Sequence, residues 1–178
     1  MNCARGLIGA KQCLGNVYIS TERWDEGMKA LEAAYQLSLQ TDNAVVRISI
    51  LCQLISITKD QKNNQLLSEY LAKLKETLHH HTSTNPMLKE AFYDVYLFCE
   101  VYYTYYYLYA GQPEQAHKNL VNAGKISQMA TPSFSTGCSI TMPMQHTSGL
   151  AKAYDRALAK IDSTIILLQE DFNSNYIH

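Results

Sequence analysis

No run of apolar residues in this chain reaches the roughly 18 needed to cross a bilayer, which excludes a membrane-spanning helix. No CxxC pair occurs among its five cysteines, which argues against a zinc site or a disulfide framework. Cys3, Cys13, Cys52, Cys99 and Cys138 are odd in number, and three of them fall in apolar helical stretches. They read as reduced thiols packed as small hydrophobes. Charge of one sign is also lacking. Fifteen Lys and Arg stand against sixteen Asp and Glu, for a net charge of -1, and the cations are scattered rather than gathered into a stripe. Binding to nucleic acid or to a membrane surface needs concentrated positive charge, so neither is expected. The N-terminus does not show the basic, apolar and small-residue order of a secretory leader. A soluble intracellular protein is expected.

Catalytic constellations are absent in the same way. There is no glycine-rich phosphate loop, no HExxH and no nucleophile elbow. His79-His80-His81 are consecutive, and neighbours on a helix point about a hundred degrees apart, so the three cannot converge on one metal ion. They read as a polar helix end whose imidazoles face the negative dipole terminus. Glu22, Asp25 and Glu26 lie in a turn, where a carboxylate gains little burial to shift its pKa. They suit the start of a helix instead. No enzyme activity, no cofactor and no metal is expected.

What the chain does have is apolar spacing of three and four nearly everywhere, with no strand-like alternation. The expected fold class is all-α, with about seven helices in one domain spanning residues 1–178. Helix hairpins are expected at about 4–39, 44–80 and 87–129, followed by a loop over 130–147 and a terminal helix over 148–172. The inward faces are expected to hold Leu7, Ala10, Leu14 and Tyr18, then Met28, Leu31, Ala34 or Tyr35, and Leu39. Val45, Ile48, Leu51, Cys52 and Ile55 follow, then Leu67, Tyr70, Leu71, Leu74 and Leu78. Thr41-Asp42-Asn43 breaks the pattern and can cap the third helix. One long helix is expected from about Met87 to Ala110. It carries Tyr102, Tyr103, Tyr105, Tyr106, Tyr107 and Tyr109 within eight positions and is apolar all round.

The most informative pattern is Tyr18-Ile-Ser-Thr-Glu-Arg-Trp24-Asp-Glu-Gly27-Met-Lys-Ala-Leu31-Glu-Ala-Ala34, echoed by Tyr107-Leu-Tyr-Ala-Gly111-Gln-Pro-Glu-Gln-Ala116-His-Lys-Asn-Leu120-Val-Asn-Ala123. Each copy reads as helix, tight turn, helix, with a small residue (Gly27, Ala116) at the crossing. Leu67 takes the same place in the middle hairpin. This pattern resembles a tetratricopeptide-like repeat, which implies a right-handed superhelix of antiparallel hairpins. It also implies a scaffold that binds an extended segment or helix of a partner protein. In that family the first helix of each hairpin lines the concave face. Carried over in register, the lining positions are Gln12 and Asn16, Cys52 and Ser56, and Val101 and Tyr105, with Lys59, Tyr102 and Tyr109 beside them. Of the Lys, Asn and Arg set that clamps chaperone C-termini only Asn16 matches, so a chaperone-tail receptor is not expected. A polar-to-aromatic groove remains.

Asn85-Pro86, Lys89-Glu90, Phe92, Leu97, Val101, Leu108 and Ala110-Gly111-Gln112 resemble a stretch of the tetratricopeptide subunit of the cohesin loader, colinear from about Ala30 to Gln128. This resemblance implies that the chain wraps the N-terminal segment of the loader's large HEAT-repeat subunit, for sister-chromatid cohesion, with nuclear residence. The chain is much shorter than such a subunit, and either a piece of a longer superhelix or a subunit whose ends dock on another protein is expected. Alternatives are a scaffold subunit of an anaphase-promoting, proteasome-lid or trafficking assembly, with cytoplasmic residence, and a helical-repeat ligand sensor.

Overall fold

Each first helix of the three hairpins ends on the same backbone device. After α1 (Asn2–Ser20), Glu22 takes φ 61 and the Arg23 N–H donates to the Tyr18 carbonyl at 2.8 Å. After α3 (Ala44–Asp60), Lys62 takes φ 55 and the Asn63 N–H reaches the Thr58 carbonyl at 2.9 Å. After α6 (Tyr93–Tyr109), Gly111 takes φ 70 and the Gln112 N–H reaches the Tyr107 carbonyl at 2.8 Å. In each, the left-handed residue satisfies helix-end carbonyls that would otherwise be orphaned, in a Schellman motif. The second helices, α2 (Trp24–Ser38), α4 (Asn64–Thr84) and α7 (Pro113–Met129), follow directly. Gly27, Leu67 and Ala116 each stand five residues past the left-handed residue, so the three share one register.

Left-handed backbone disfavours side chains other than glycine. Lys62→Gly is therefore expected to raise the stability of the first unit by about 1 kcal/mol, and Gly111→Ala to lower that of the second by about as much, both read from denaturant melts. Equal neutrality of both changes would show that the turns carry no such strain.

A computed structural model describes residues 2–84 and 88–129. Among the described residues there are seven helices and no strand, in agreement with the all-α expectation. The expected loop at 130–147 and terminal helix at 148–172 lie outside the described residues. The chain divides into two packing units, Met1–Pro86 and Met87–His178.

In the first unit α1 packs on α2, α2 on α3, and α3 on α4. The buried layer is Ile8, Leu31, Ala34, Ile48, Ile50, Leu51, Leu54, Ile55, Leu67, Leu71, Leu74 and Leu78. Asn43 caps α3 as expected, its Oδ1 accepting from the Val46 N–H at 3.2 Å, and Asn63 does the same for the Leu66 N–H at 3.2 Å. Arg47 ties the loop between hairpins, donating to the Ser38 and Thr41 carbonyls at 3.1 and 2.8 Å.

The inward face of α1 differs from expectation. Ile8 and Gly15 are buried, whereas Leu7, Ala10 and Leu14 are exposed, and Leu39 and Val45 are exposed as well. Two apolar stripes run along α1, and the hairpin closes on the one that contains glycine, because only there can the backbones approach. A Cβ on Gly27 would sit 2.7 Å from Ile19 Cγ1 and 3.2 Å from the Gly15 carbonyl oxygen. A Cβ on Gly15 would sit 2.7 Å from Leu31 Cγ.

In the second unit the long helix expected over 87–110 is broken. A short turn, α5 (Leu88–Ala91), ends before Phe92, whose backbone sits at φ -111 and ψ 12, and α6 begins at Tyr93. No glycine or proline marks the break. The Phe92 ring is 3% exposed, and the backbone yields where that ring enters the interior. α7 lays Ala116, Leu120 and Ala123 against α6, with Tyr105, Tyr107 and Leu108 packed on Ala116 and Leu120.

Candidate partner-binding surface

Two ladders of side-chain contacts cross the first unit at nearly constant offset. Between the first helices, Gln12 Nε2 donates to Ser49 Oγ and to Gln53 Oε1, both at 3.4 Å. Between the second helices, the Tyr70 hydroxyl donates to Glu32 Oε1 at 2.5 Å, and the Lys73 ammonium lies 5.8 Å from the Tyr35 ring and 5.1 Å from that of Tyr70. The paired residues are 37 to 41 apart in sequence, so like helix lies beside like helix.

Of the expected lining residues of this unit, Gln12 is half-buried and held by α3, and Asn16, one turn on, is exposed. Cys52 is 7% exposed and belongs to the core, which leaves little of it to meet a partner. The Ser56 hydroxyl donates to the Cys52 carbonyl of its own helix at 3.1 Å, and Lys59 pairs with Asp60 at 2.8 Å. Ser49 and Gln53, which hold Gln12, escaped sequence reading. Their signal was a polar pair recurring about forty residues after Gln12 on an otherwise apolar helix.

The second unit places the tyrosines in ring-to-ring order. Phe98 stacks on Tyr102 with centroids 4.1 Å apart, Tyr102 meets Tyr105 edge-on at 6.1 Å, and Tyr105 stacks with Tyr109 at 6.4 Å. Spacings of four, three and four keep these rings on one face of α6. The series climbs from Phe98, which is buried, to Tyr109, which is 37% exposed. A second series, Tyr103 with Tyr107 and Tyr107 with Tyr106, runs along another side. Val101, an expected lining position, is fully buried.

Burial governs the titration of these phenols. It pushes Tyr103 up to about 12 and raises Tyr35. Burial, together with the hydrogen bond to Glu32, raises Tyr70 well above the usual phenol range. A phenol whose folded pKa exceeds its unfolded value near 10 favours folding fully below that value and loses its contribution as pH rises through the folded pKa. Thermal stability is therefore expected to hold to about pH 9 and to fall between about pH 10 and 12. Tyr103→Phe should flatten that fall, as followed by circular dichroism melts with phenolate absorbance, and an unchanged slope would remove Tyr103 from the account.

At the first turn of α2 the Arg23 guanidinium holds the Glu26 carboxyl below the usual carboxylate range, at 2.7 Å, and lies over the Tyr18 ring. Both groups are exposed and suit a helix start rather than a reactive site. Among the described residues no group of three His, Cys, Asp or Glu side chains could hold a metal ion. Nor is any described helix long and apolar enough to cross a membrane.

The arrangement defines a class, all-helical hairpins sharing one turn and one register. No protein-family model, no curated protein and no solved structure matches the chain.

Proposed function

We propose that this chain is a protein-interaction scaffold of tetratricopeptide-like hairpins that binds an extended segment or a helix of a partner subunit. The observation that carries the proposal is the shared turn and register of the three hairpins, joined in the first unit by ladders between like helices about forty residues apart. Periodic stacking of that kind supports a solenoid, and in the tetratricopeptide family that the sequence resembles the first helix of each hairpin lines the face that holds partners. In the first unit the polar strip of Gln12, Asn16, Ser56 and Lys59 is the binding surface. In the second unit it is the ladder of Tyr102, Tyr105 and Tyr109. Rigid rings that end at the water boundary combine large contact area with a hydroxyl for orientation, the usual chemistry of interface anchors.

The first partner to test is the one implied by the resemblance in sequence, the N-terminal segment of the HEAT-repeat subunit of the cohesin loader, which would place the chain in the nucleus. The experiment is affinity capture at physiological salt with the wild-type chain and with Tyr105→Ala and Tyr109→Ala. The expected result is one partner recovered by the wild type and depleted about tenfold or more by the double variant, consistent with loss of two interface anchors. Melting temperature should fall far less for Tyr109→Ala, the more exposed ring, than for Tyr105→Ala. Loss of stability with no loss of the partner would assign both rings to the core. Recovery of another assembly would keep the scaffold and discard the loader.

A further inference from the structure

Leu7, Ala10, Leu14 and Val17 recur at three and four spacing on α1 and stand open to solvent, with Leu7, Leu14 and Val17 46%, 44% and 56% exposed. The shared register shows what such a stripe is for. Forty residues on, Ala10, Leu14 and Val17 correspond to Ile50, Leu54 and Ile57 of α3, which are 0%, 0% and 7% exposed. Gly15, which faces its hairpin partner α2, corresponds to Ile55, which is buried on α3. The Ile50, Leu54 and Ile57 stripe lies roughly 100–160° around the helix from Ile55, and α3 packs on α2 as well as on α4. One face is thus buried in the second hairpin and open in the first.

We infer that the outer face of α1 is a docking site for an amphipathic, acidic helix of a partner, which packs on it as α2 packs on α3. Charge selects this occupant over a second copy. α1 carries no carboxylate, and of its two cations Lys11 borders Leu7 and Leu14 at the edge of the stripe, whereas Arg5 lies on the other side of the helix beside Ile8, Gly9 and Gln12. Two α1 helices face to face would set cation against cation with nothing to neutralise them. α2, which packs on α3 in the second hairpin, carries Asp25, Glu26 and Glu32 against the single Lys29. A partner helix of that composition brings both the apolar ridge and the carboxylates that α1 lacks. The inference depends on the forty-residue register of the first unit and not on the tyrosine ladder, so failure of either leaves the other standing.

The test uses the full chain and a fluorescein-labelled, end-capped peptide of the Trp24–Ser38 sequence as the acidic amphipathic probe, followed by anisotropy. Saturable binding to the wild type is expected. Leu14→Asp and Val17→Asp should weaken it by about tenfold or more, because each places a charge in an apolar contact. Lys11→Glu, which leaves the stripe intact, should weaken it by about threefold, the scale of an exposed ion pair, and 0.5 M salt should act in the same direction. Both stripe positions are exposed, so helicity by circular dichroism should be retained, and Lys11→Glu serves should either aspartate variant unfold. No saturable binding, or equal binding to wild type and stripe variants, overturns the site. A concentration-dependent dimer in sedimentation equilibrium that Val17→Asp dissolves overturns the acidic helix in favour of a second copy.

Discussion

Gly27→Leu is expected to lower the stability of the first unit by about 3 kcal/mol, at the upper end of overpacking costs, and its melting temperature by roughly 10 °C or more. Two opposed effects act at this position. Replacing a helical glycine by alanine normally stabilises by about 0.5–1 kcal/mol, because glycine surrenders the most backbone entropy on folding. Gly6 and Gly9 of α1 have nothing within 4 Å of an added Cβ, so alanine at either should yield that gain. At Gly27 the added atom would fall inside contact distance of the Ile19 side chain and press on the Gly15 carbonyl. A side-chain end can turn aside, but a backbone oxygen moves only if the two helices separate. Alanine at 27 should therefore already reverse the sign, and leucine should part the hairpin. Pairing Gly27→Ala with Ile19→Ala removes the atoms nearest the new Cβ and should recover about 1 kcal/mol of the loss, the size of coupling expected between contacting residues. A neutral Gly27→Leu in urea melts would mean that α1 and α2 do not cross at these glycines.

The same pair of glycines explains where sequence reading succeeded and where it failed. Gly27 was legible because Ala116 repeats it in the third hairpin, at the same distance from the turn, and two small residues in one register point to a helix crossing. Gly15, its partner across the contact, has no small echo at Ile55 or Thr104 and passed unnoticed. With Gly15 unseen, α1 offered two apolar stripes of similar strength, and hydrophobic periodicity alone selects the one with more leucine. Close approach selects the other. The break at Phe92 left no signal of the usual kind, since neither glycine nor proline stands there. The tyrosines illustrate a different limit. Their density showed that α6 would be apolar all round, but the order of the rings, from Phe98 to Tyr109, depends on side-chain rotamers that composition does not specify. Cys52 was placed at the groove by the register mark of Gly27, Leu67 and Ala116, each five residues past a left-handed turn residue. At that position the α3 side chain nevertheless turns into the core, while its counterpart Gln12 stays half-exposed and bonds across to Ser49 and Gln53. Equivalent backbone positions thus need not present equivalent surface.

That difference between backbone equivalence and surface equivalence is measured most directly at Leu14 and Leu54. The two occupy the same place in successive hairpins, yet one is 44% exposed and the other fully buried. Leu54→Ala should cost about 3 kcal/mol, the transfer of a buried isobutyl group plus the cavity it leaves. Leu14→Ala should cost less than about 1 kcal/mol, since much of its side chain already meets water and alanine favours the helix. Urea melts of the two variants at one temperature decide the matter. Similar costs would mean that the stripe on α1 is covered in solution, by a second copy or by another part of the chain, and would remove the open face. A threefold or larger ratio of the two losses would establish the open face in solution. Adding saturating partner helix should then narrow the ratio, because Leu14 in the complex takes on the environment that Leu54 already has. Ligand linkage gives the size of that change: a helix present at 100 times its dissociation constant stabilises the folded chain by about 2.7 kcal/mol, and the Leu14→Ala variant, binding more weakly, receives correspondingly less.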